Sequence, residues 1–250
     1  HVGHALERRR WKGELDRVTG EFEALMYAIS HDLGAPLRAV DGFSRALAED
    51  YGPTLDDEAR EHIDRVCGGA KRMAGLIDDL LHLARMSRNP MALEAVDLSA
   101  SAEQILARLQ RAEPARKVEV EIEPGLTTHG DKVLLSKALN HLLENAWKFT
   151  SKTENALIRF ERDTGARDAG ARESGDVPTF VVRDNGAGFE ADYAGKLFAP
   201  FRRLHSPSEF EGRGIGLASV KRIVTRHGGE VWAEGNVGEG AAFFFTLPGA

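Results

Sequence analysis

Apolar residues at the start of the chain recur at the spacing of a coiled-coil seam. Trp11, Leu15, Val18, Phe22, Leu25 and Ile29 alternate steps of four and three, which keeps one helix face against a partner helix. The pattern predicts a first long helix from about Arg9 to Glu49, stopped at Tyr51-Gly52-Pro53, where glycine followed by proline is a helix-stop signal. Thr54 with Asp57 three residues later has the form of a capping box that restarts a helix. Along that second helix Ala59, Ile63, Val66, Ala70, Met73, Ile77, Leu80 and Ala84 again step by four and three. Two such helices joined by a short loop present one apolar face each. A lone hairpin cannot bury that face, so two copies are expected to pair as a four-helix bundle. Ser87-Arg88-Asn89-Pro90 closes the hairpin.

Beyond Pro90 the pattern changes to alternating strands and helices. Val118 to Glu123 alternates as a half-buried strand, Lys132 to Thr150 reads as a helix, and Ala156 to Glu161 and Thr179 to Arg183 read as strands. The stretch from Asp163 to Val177, rich in Gly, Ala, Asp and Arg, is long for a connection between paired strands and reads as a flexible insertion. Leu217 to Arg226 reads as a helix stopped by Gly228-Gly229, with Glu230 to Trp232 and Ala241 to Leu247 as closing strands. The second part is therefore expected to be an α+β sandwich, with helices on one face of a mixed sheet.

Composition narrows the class. With 250 residues, 42% hydrophobic and 29% charged, the chain can hold two domains and bury a good core. A net charge of −6 gives no electrostatic case for binding nucleic acid or an anionic membrane. Cys67 stands alone, which excludes a disulfide framework and a cysteine metal site. No apolar run approaches the roughly 18 residues of a membrane helix, and no signal peptide is visible. The expectation is a soluble, intracellular protein. The start at His1, without methionine, reads as the C-terminal part of a longer chain.

His31, in Ser30-His31-Asp32-Leu33-Gly34-Ala35-Pro36-Leu37-Arg38, lies two residues past Ile29, roughly 200° around the helix from that seam position. It should face solvent as an accessible nucleophile. Pro36 cannot donate to the carbonyl of Asp32, and Gly34 loosens the same turn, so a kink is expected beside it. His62, His82, His129 and His227 have no partner pattern and read as structural.

Three clusters carry chemistry in the second part. In His141-Leu142-Leu143-Glu144-Asn145-Ala146-Trp147-Lys148-Phe149-Thr150, His141, Asn145 and Lys148 share one helix face. A carboxamide oxygen suits Mg²⁺ beside phosphates, and the lysine supplies a point charge for them. Asp184-Asn185-Gly186-Ala187-Gly188-Phe189 directly follows a strand; a buried carboxylate there can accept from an exocyclic amine such as adenine's, and the glycines permit close backbone approach. Gly212-Arg213-Gly214-Ile215-Gly216-Leu217 opens a helix, whose N–H groups and dipole favour a phosphate. A Rossmann reading fails, because no early strand with a following acidic residue accompanies these glycines. Taken singly, each cluster has an ordinary alternative: a polar helix edge, a turn, a glycine-rich loop.

In this order, and with Phe198-Ala199-Pro200-Phe201 between the second and third, the clusters resemble the nucleotide-binding domain of sensor histidine kinases. Ser30-His31-Asp32-Leu33 resembles the family's phosphoacceptor box, and Phe201-Arg202-Arg203-Leu204-His205 is most like the phytochrome-linked and PAS-linked members. The resemblance spans residues 20–248 and implies a coiled-coil signalling linker over 1–20, a dimerisation and phosphotransfer hairpin over 21–90, and an ATP-binding domain of Bergerat type over 91–250.

It further implies that the chain uses Mg-ATP to phosphorylate His31, with Asp32 orienting the imidazole and accepting its proton. Asn145 would hold Mg²⁺, Lys148 would meet the phosphates, and Asp184 would take the adenine amine above Gly186 and Gly188; Arg203 and His205 have two readings, phosphate contacts from the lid or solvated loop charges. Residues 198–214 would form a mobile lid, with Gly212, Gly214, Gly216 and Leu217 beside the phosphates. Implied partners are a second copy through the hairpin, a response-regulator receiver domain and an upstream sensor domain. Neither nucleic acid nor membrane contact is expected from this segment, which would be cytoplasmic.

Three departures qualify the pattern. His141 replaces the usual asparagine, Arg213 stands where a small residue is usual, and Ala35 occupies the site where phosphatase-active relatives often carry Thr or Asn. Weak phosphatase activity is therefore expected. Two rival readings are an ATP-hydrolysing relative of gyrases and chaperones, which would need a glutamate where His141 stands, and a non-catalytic dimerisation scaffold.

Overall fold

The computed structural model describes residues 28, 32–85, 90–164, 177–206, 209, 210 and 212–248. The chain divides into two compact units, His1–Asn89 and Pro90–Ala250. Residue His31, the seam from Trp11 to Ile29, the Ser87-Arg88-Asn89 closure and most of the 163–177 insertion lie outside the described residues.

In the first unit, residues 32–51 form helix α1, continuous on both sides of Pro36. A 3-10 turn at Gly52–Thr54 leads to α2, Asp57–Arg85. The helix restarts on a cap different from the one the sequence suggests. Asp56, not Thr54, caps α2, accepting from the Ala59 N–H at 2.8 Å. Thr54 is consumed by the turn, its hydroxyl donating to the Tyr51 carbonyl at 2.7 Å, while Arg60 Nε donates to the Gly52 carbonyl at 2.9 Å. Because Pro53 and Thr54 already belong to the 3-10 turn, Asp56 is the side chain left one step before the free N–H groups.

On α1 the positions Leu33, Leu37, Val40, Ser44, Leu47 and Tyr51 step by four and three, apolar except at Ser44. Leu33, Val40, Leu47 and Tyr51 are exposed, as are Val66 and Met73 on α2, and Ala70 is the buried apolar residue of the unit among those described.

The second unit is a five-stranded mixed sheet of order β2-β4-β5-β7-β6 under a layer of helices. Its strands are β2 Val118–Ile122, β4 Ala156–Arg162, β5 Thr179–Asp184, β6 Val231–Asn236 and β7 Gly240–Thr246. β2 runs parallel to β4 and the other neighbours pair antiparallel. The helices are α3 Leu98–Ala112, α4 Lys132–Phe149 and α5 Gly216–Arg226, with α4 packed between the other two. Phe160, Phe180 and Phe245, from β4, β5 and β7, pack ring against ring with centroids 5.4 to 6.4 Å apart. The alternate face carries its own apolar cluster, Val181, Ala242 and Phe244, on which Trp232 stacks at 5.2 Å. That second cluster explains why Phe243-Phe244-Phe245 is unbroken by polar residues.

Two strands and one α-helix were not assigned from sequence. β1 Leu93–Asp97 and β3 Thr127–Asp131 pair antiparallel as a separate ribbon, and α3 follows β1 directly. α3 had a legible signal: Asp97 caps it, accepting from Ala100 N–H at 2.9 Å, and Leu98, Ala102 and Leu106 form its buried stripe. β3, Thr-Thr-His-Gly-Asp, had none, because its inward positions are Thr128 and Gly130. β6 runs to Asn236, four residues past the expected Trp232, because pairing with β7 continues to Asn236 opposite Gly240.

Candidate nucleotide-binding site

Helix α4 is held at its start and presents chemistry at its end. Asp131 caps it, Oδ1 accepting from Leu134 N–H at 3.0 Å and Oδ2 from Ala92 N–H at 3.1 Å. The Asp131 N–H donates to Nε2 of His227 at 3.0 Å, whose Nδ1 lies 2.8 Å from the Ile223 carbonyl. His227, read as structural, thus ties α5 to the root of α4. The buried stripe Leu135, Leu139, Leu142, Leu143, Ala146 and Trp147 turns His141, Asn145 and Lys148 to one half-buried edge.

At the end of β5, Asp184 is buried. Its Oδ1 accepts from Gly186 N–H at 2.9 Å, whereas Oδ2 has no hydrogen-bond partner. Burial raises its pKa from 3.8 to about 6, opposed to a smaller extent by the amides of Gly186 and Ala241. A buried acceptor left unpaired is costly unless a donor completes it.

The turn after Asp184 is clamped on three sides. Asn185 Oδ1 accepts from Leu157 N–H and its Nδ2 donates to the Asn155 carbonyl, both at 2.8 Å. Ala187 N–H donates to the Phe149 carbonyl at the end of α4 at 3.1 Å, and Gly238 N–H donates to the Ala187 carbonyl at 2.8 Å. Gly188 has φ 62, and a Cβ there would stand 1.8 Å from the Asn236 carbonyl oxygen, so no side chain fits.

The described residues of the next segment, 198–206, 209, 210 and 212–214, pack against these two elements through His205 and Phe210. Phe201 holds an unusual φ of 62 and its N–H donates to the Gly214 carbonyl at 2.9 Å. Gly214, at φ 74, leaves 2.7 Å between a would-be Cβ and the Arg202 carbonyl oxygen. Arg203 Nη2 donates to the Phe210 carbonyl at 2.7 Å. His205 Nε2 lies 3.0 Å from the Gly188 carbonyl, and its ring packs on Phe149 and Phe210, each at 5.2 Å.

The cations converge here. Lys148 Nζ lies 3.4 Å from Asn145 Oδ1, 4.2 Å from the Phe149 ring centre and 3.2 Å from where a Gly212 Cβ would stand. Burial lowers the Lys148 pKa, the charge of Arg203 lowers it further, and Glu144 partly offsets both. Two cations within each other's field favour an anion between them. α5 then begins at Gly216 and Leu217 with no side-chain cap from Ile215, the arrangement that leaves N–H groups for a phosphate.

The structure thus brings Asn145, Lys148, Arg203 and Gly212 to one locus, and places Asp184, Gly186 and Gly188 in one turn packed against the end of α4. Gly216 lies beside His141, whose Nδ1 would be 3.4 Å from a Cβ there, an ordinary contact. Asp32 belongs to the other unit and is exposed. His205, read with equal weight as a phosphate contact or a solvated loop charge, is instead a half-buried ring. The contributions of Phe149, Asn185, Phe210 and the β6–β7 turn were missed, because each depends on a backbone group or ring brought close from a distant part of the chain.

No group of three or more His, Cys, Asp or Glu able to hold a metal occurs among the described residues. The donor set fits Mg²⁺ carried by nucleotide phosphates and water, with Asn145 Oδ1 as one hard oxygen ligand. Such a metal would have to displace the Lys148 ammonium from that oxygen.

Comparison with known proteins agrees with this chemistry. Residues 130–250 match the family of histidine kinase-, DNA gyrase B- and HSP90-like ATPases, and residues 23–89 match the His Kinase A phospho-acceptor domain. Cyanobacterial phytochrome B of Nostoc sp. is 35% identical over 237 residues, covering 94% of this chain and 30% of that protein. Phytochrome-like protein Cph1 of Synechocystis sp. is 31% identical, covering 94% of this chain and again 30% of the relative. The chain therefore spans about a third of the length of these relatives. Full-length ShkA, crystallised in complex with AMPPNP, superposes with a TM-score of 0.60 at 26% identity, over 91% of this chain and 46% of that one. With a helical phosphoacceptor region followed by an α/β ATPase domain, the chain belongs to the sensor histidine kinase family.

Proposed function

We propose that this chain is the catalytic core of a sensor histidine kinase that uses Mg-ATP to phosphorylate His31. The observation that carries the reading is the buried Asp184, whose Oδ2 lacks a donor in a turn that Gly188 keeps free of side chains. The exocyclic amine of adenine supplies that donor. Lys148, Arg203 and Gly212 take the phosphates at the other end, and Gly216 and Leu217 offer the N–H groups at the start of α5. Bound Mg²⁺, with Asn145 as a ligand, would neutralise phosphate charge.

Neutral His31 attacks the γ-phosphorus, a nitrogen–phosphorus bond forms as the bond to the β-phosphate oxygen breaks, and ADP leaves. Asp32 orients the ring and accepts the proton from its other nitrogen. An unperturbed imidazole, with a pKa of about 6.5, is mostly neutral at cytoplasmic pH.

The phosphoryl group then passes to an aspartate of a response-regulator receiver domain. The chain acts as a homodimer through the hairpin of residues 21–90, with 1–20 as a coiled-coil signalling linker and 91–250 as the ATP-binding domain. The chain spans about 30% of the phytochrome relatives, which is compatible with an upstream sensor domain in the full-length protein. No described helix is long and apolar enough to cross a membrane, which is compatible with a cytoplasmic location and no membrane contact in this segment; the net charge of −6 favours no nucleic-acid partner. Ala35 carries no polar group to position a water, so removal of phosphate from the receiver is slow.

Incubation with γ-labelled ATP and Mg²⁺ tests the reading. Acid-labile, base-stable label that disappears in His31→Ala is the expected outcome. Free phosphate without protein label would instead mark an ATPase, and neither product a scaffold.

A further inference from the structure

Among the described residues, a side-chain hydrogen bond that phosphate and adenine chemistry leave unused ties the adenine turn to the segment that carries Arg203. Gly188 belongs to the adenine turn and His205 to the segment that carries Arg203. A carbonyl oxygen only accepts, so at 3.0 Å His205 Nε2 carries the hydrogen and donates it to Gly188. The ring is fixed by packing as well. It lies against Phe149, at the end of α4, and against Phe210, whose ring meets Phe149 at 5.0 Å in an edge arrangement.

The same residues hold the cations. The Phe210 carbonyl accepts from Arg203, Lys152 Nζ lies 4.9 Å from the Phe210 ring centre, and Lys148 Nζ lies 4.2 Å from that of Phe149. Arg203, whose charge is felt at Lys148, is therefore carried by a segment pinned two residues later to the adenine turn. The pinned geometry keeps two like charges close, which is favourable once an anion lies between them.

We propose that His205 is a positioning residue for the nucleotide: its hydrogen bond to Gly188 ties the placement of Arg203 to the turn that reads adenine. The inference rests on the nucleotide reading above and assigns His205 no contact with ATP. Loss of the bond loosens the phosphate-side cation while leaving adenine recognition and His31 in place. The consequence is weaker apparent ATP affinity rather than a slower saturated reaction.

The test is the autophosphorylation rate of the 250-residue chain against ATP concentration for three variants. His205→Gln can place an amide N–H near the Gly188 carbonyl, His205→Asn is one methylene too short, and His205→Phe keeps a ring without a donor. Loss of such a bond is expected to raise half-saturating ATP about tenfold in the Asn and Phe variants, with the maximal rate within about threefold. The Gln variant stays within about threefold of wild type on both measures.

Trypsin gives a second readout at Arg202, Arg203 and Arg213. ADP slows cleavage there in the wild type and the Gln variant, and fails to do so in the other two even when they are saturated. If the Phe variant does not fold, the Gln and Asn pair decides alone. Equal behaviour of Gln and Asn, or a fall confined to the maximal rate, overturns the proposal. Failure of the wild type to bind ATP would overturn the nucleotide reading itself. Retained binding in the wild type, loss in Asp184→Asn and wild-type behaviour of the Asn and Phe variants would overturn the positioning role alone.

Discussion

The two units solve the problem of apolar surface in opposite ways. In the α/β unit, Leu139, Phe160 and Phe180 are at most 1% exposed, and the sheet buries side chains on both faces. In the helical unit, Leu33, Val40 and Leu47 are 44 to 47% exposed, and Phe43 reaches 78%. One unit completes its core within the chain. The other leaves these apolar residues of its described helices exposed, as the proposed pairing of two hairpins requires. Such a division suits the phosphotransfer proposed above, in which the nucleotide site needs rigid walls and the phosphoacceptor helix would meet more than one partner.

The largest test of this contrast separates the chemistry of the units. His31→Ala should remove protein-bound label completely while ATP binding, measured by titration calorimetry, stays within about twofold. A parallel loss of ATP affinity would mean that the units do not divide the work as proposed. The next test breaks the seam. Leu47→Asp places a charge where an apolar partner is expected and should weaken dimerisation by roughly a hundredfold or more in sedimentation velocity. The melting transition of the α/β unit should stay unchanged.

Asp184→Asn probes the self-sufficient unit. It should cost about tenfold or more in ATP affinity, because the amide offers a donor where adenine also presents one. Its effect on stability has the opposite sign. The Asp184 pKa rises from 3.8 to about 6 on folding, so its contribution to stability is complete below the unfolded value and lost as pH rises through about 6. The variant should thus be more stable than wild type by about 1 kcal/mol at pH 8 and lose that gain at pH 5, read by thermal melts. In the wild type, ATP affinity should fall by up to about tenfold per pH unit below about 6, as a proton takes the acceptor.

The smallest expected effect concerns the corrected cap. Asp56→Ala should destabilise the helical unit by about 1 kcal/mol in chemical denaturation, with Thr54→Ala changing it by less than half as much. Reversal of that order would restore Thr54 as the cap.

Legibility in the sequence followed the range of the interaction. His141, Asn145 and Lys148 could be placed on one helix face because helical spacing is local, and Asp184-Asn185-Gly186 because a turn after a strand is local. The ribbon strand β3 could not, since what buries Gly130 is Leu135 and His227, the latter 97 positions away. Asp56 displaced Thr54 because a 3-10 turn, rather than a simple loop, precedes α2. His205 was visible as a residue of a familiar phrase, but its donor role depends on Gly188, 17 residues earlier.

By itself the sequence determined which groups are available: a carboxamide and an ammonium one helical turn apart, a carboxylate ahead of glycines, a glycine-rich helix start, and an apolar seam that steps by four and three. Those are properties of covalent order and backbone period. Only the tertiary structure decided that Asp184 keeps an unpaired oxygen, that Arg203 stands beside Lys148, and that His205 joins the two. Desolvation and hydrogen-bond satisfaction depend on what packs around a group, and the packing here comes from strands and helices far apart in the chain.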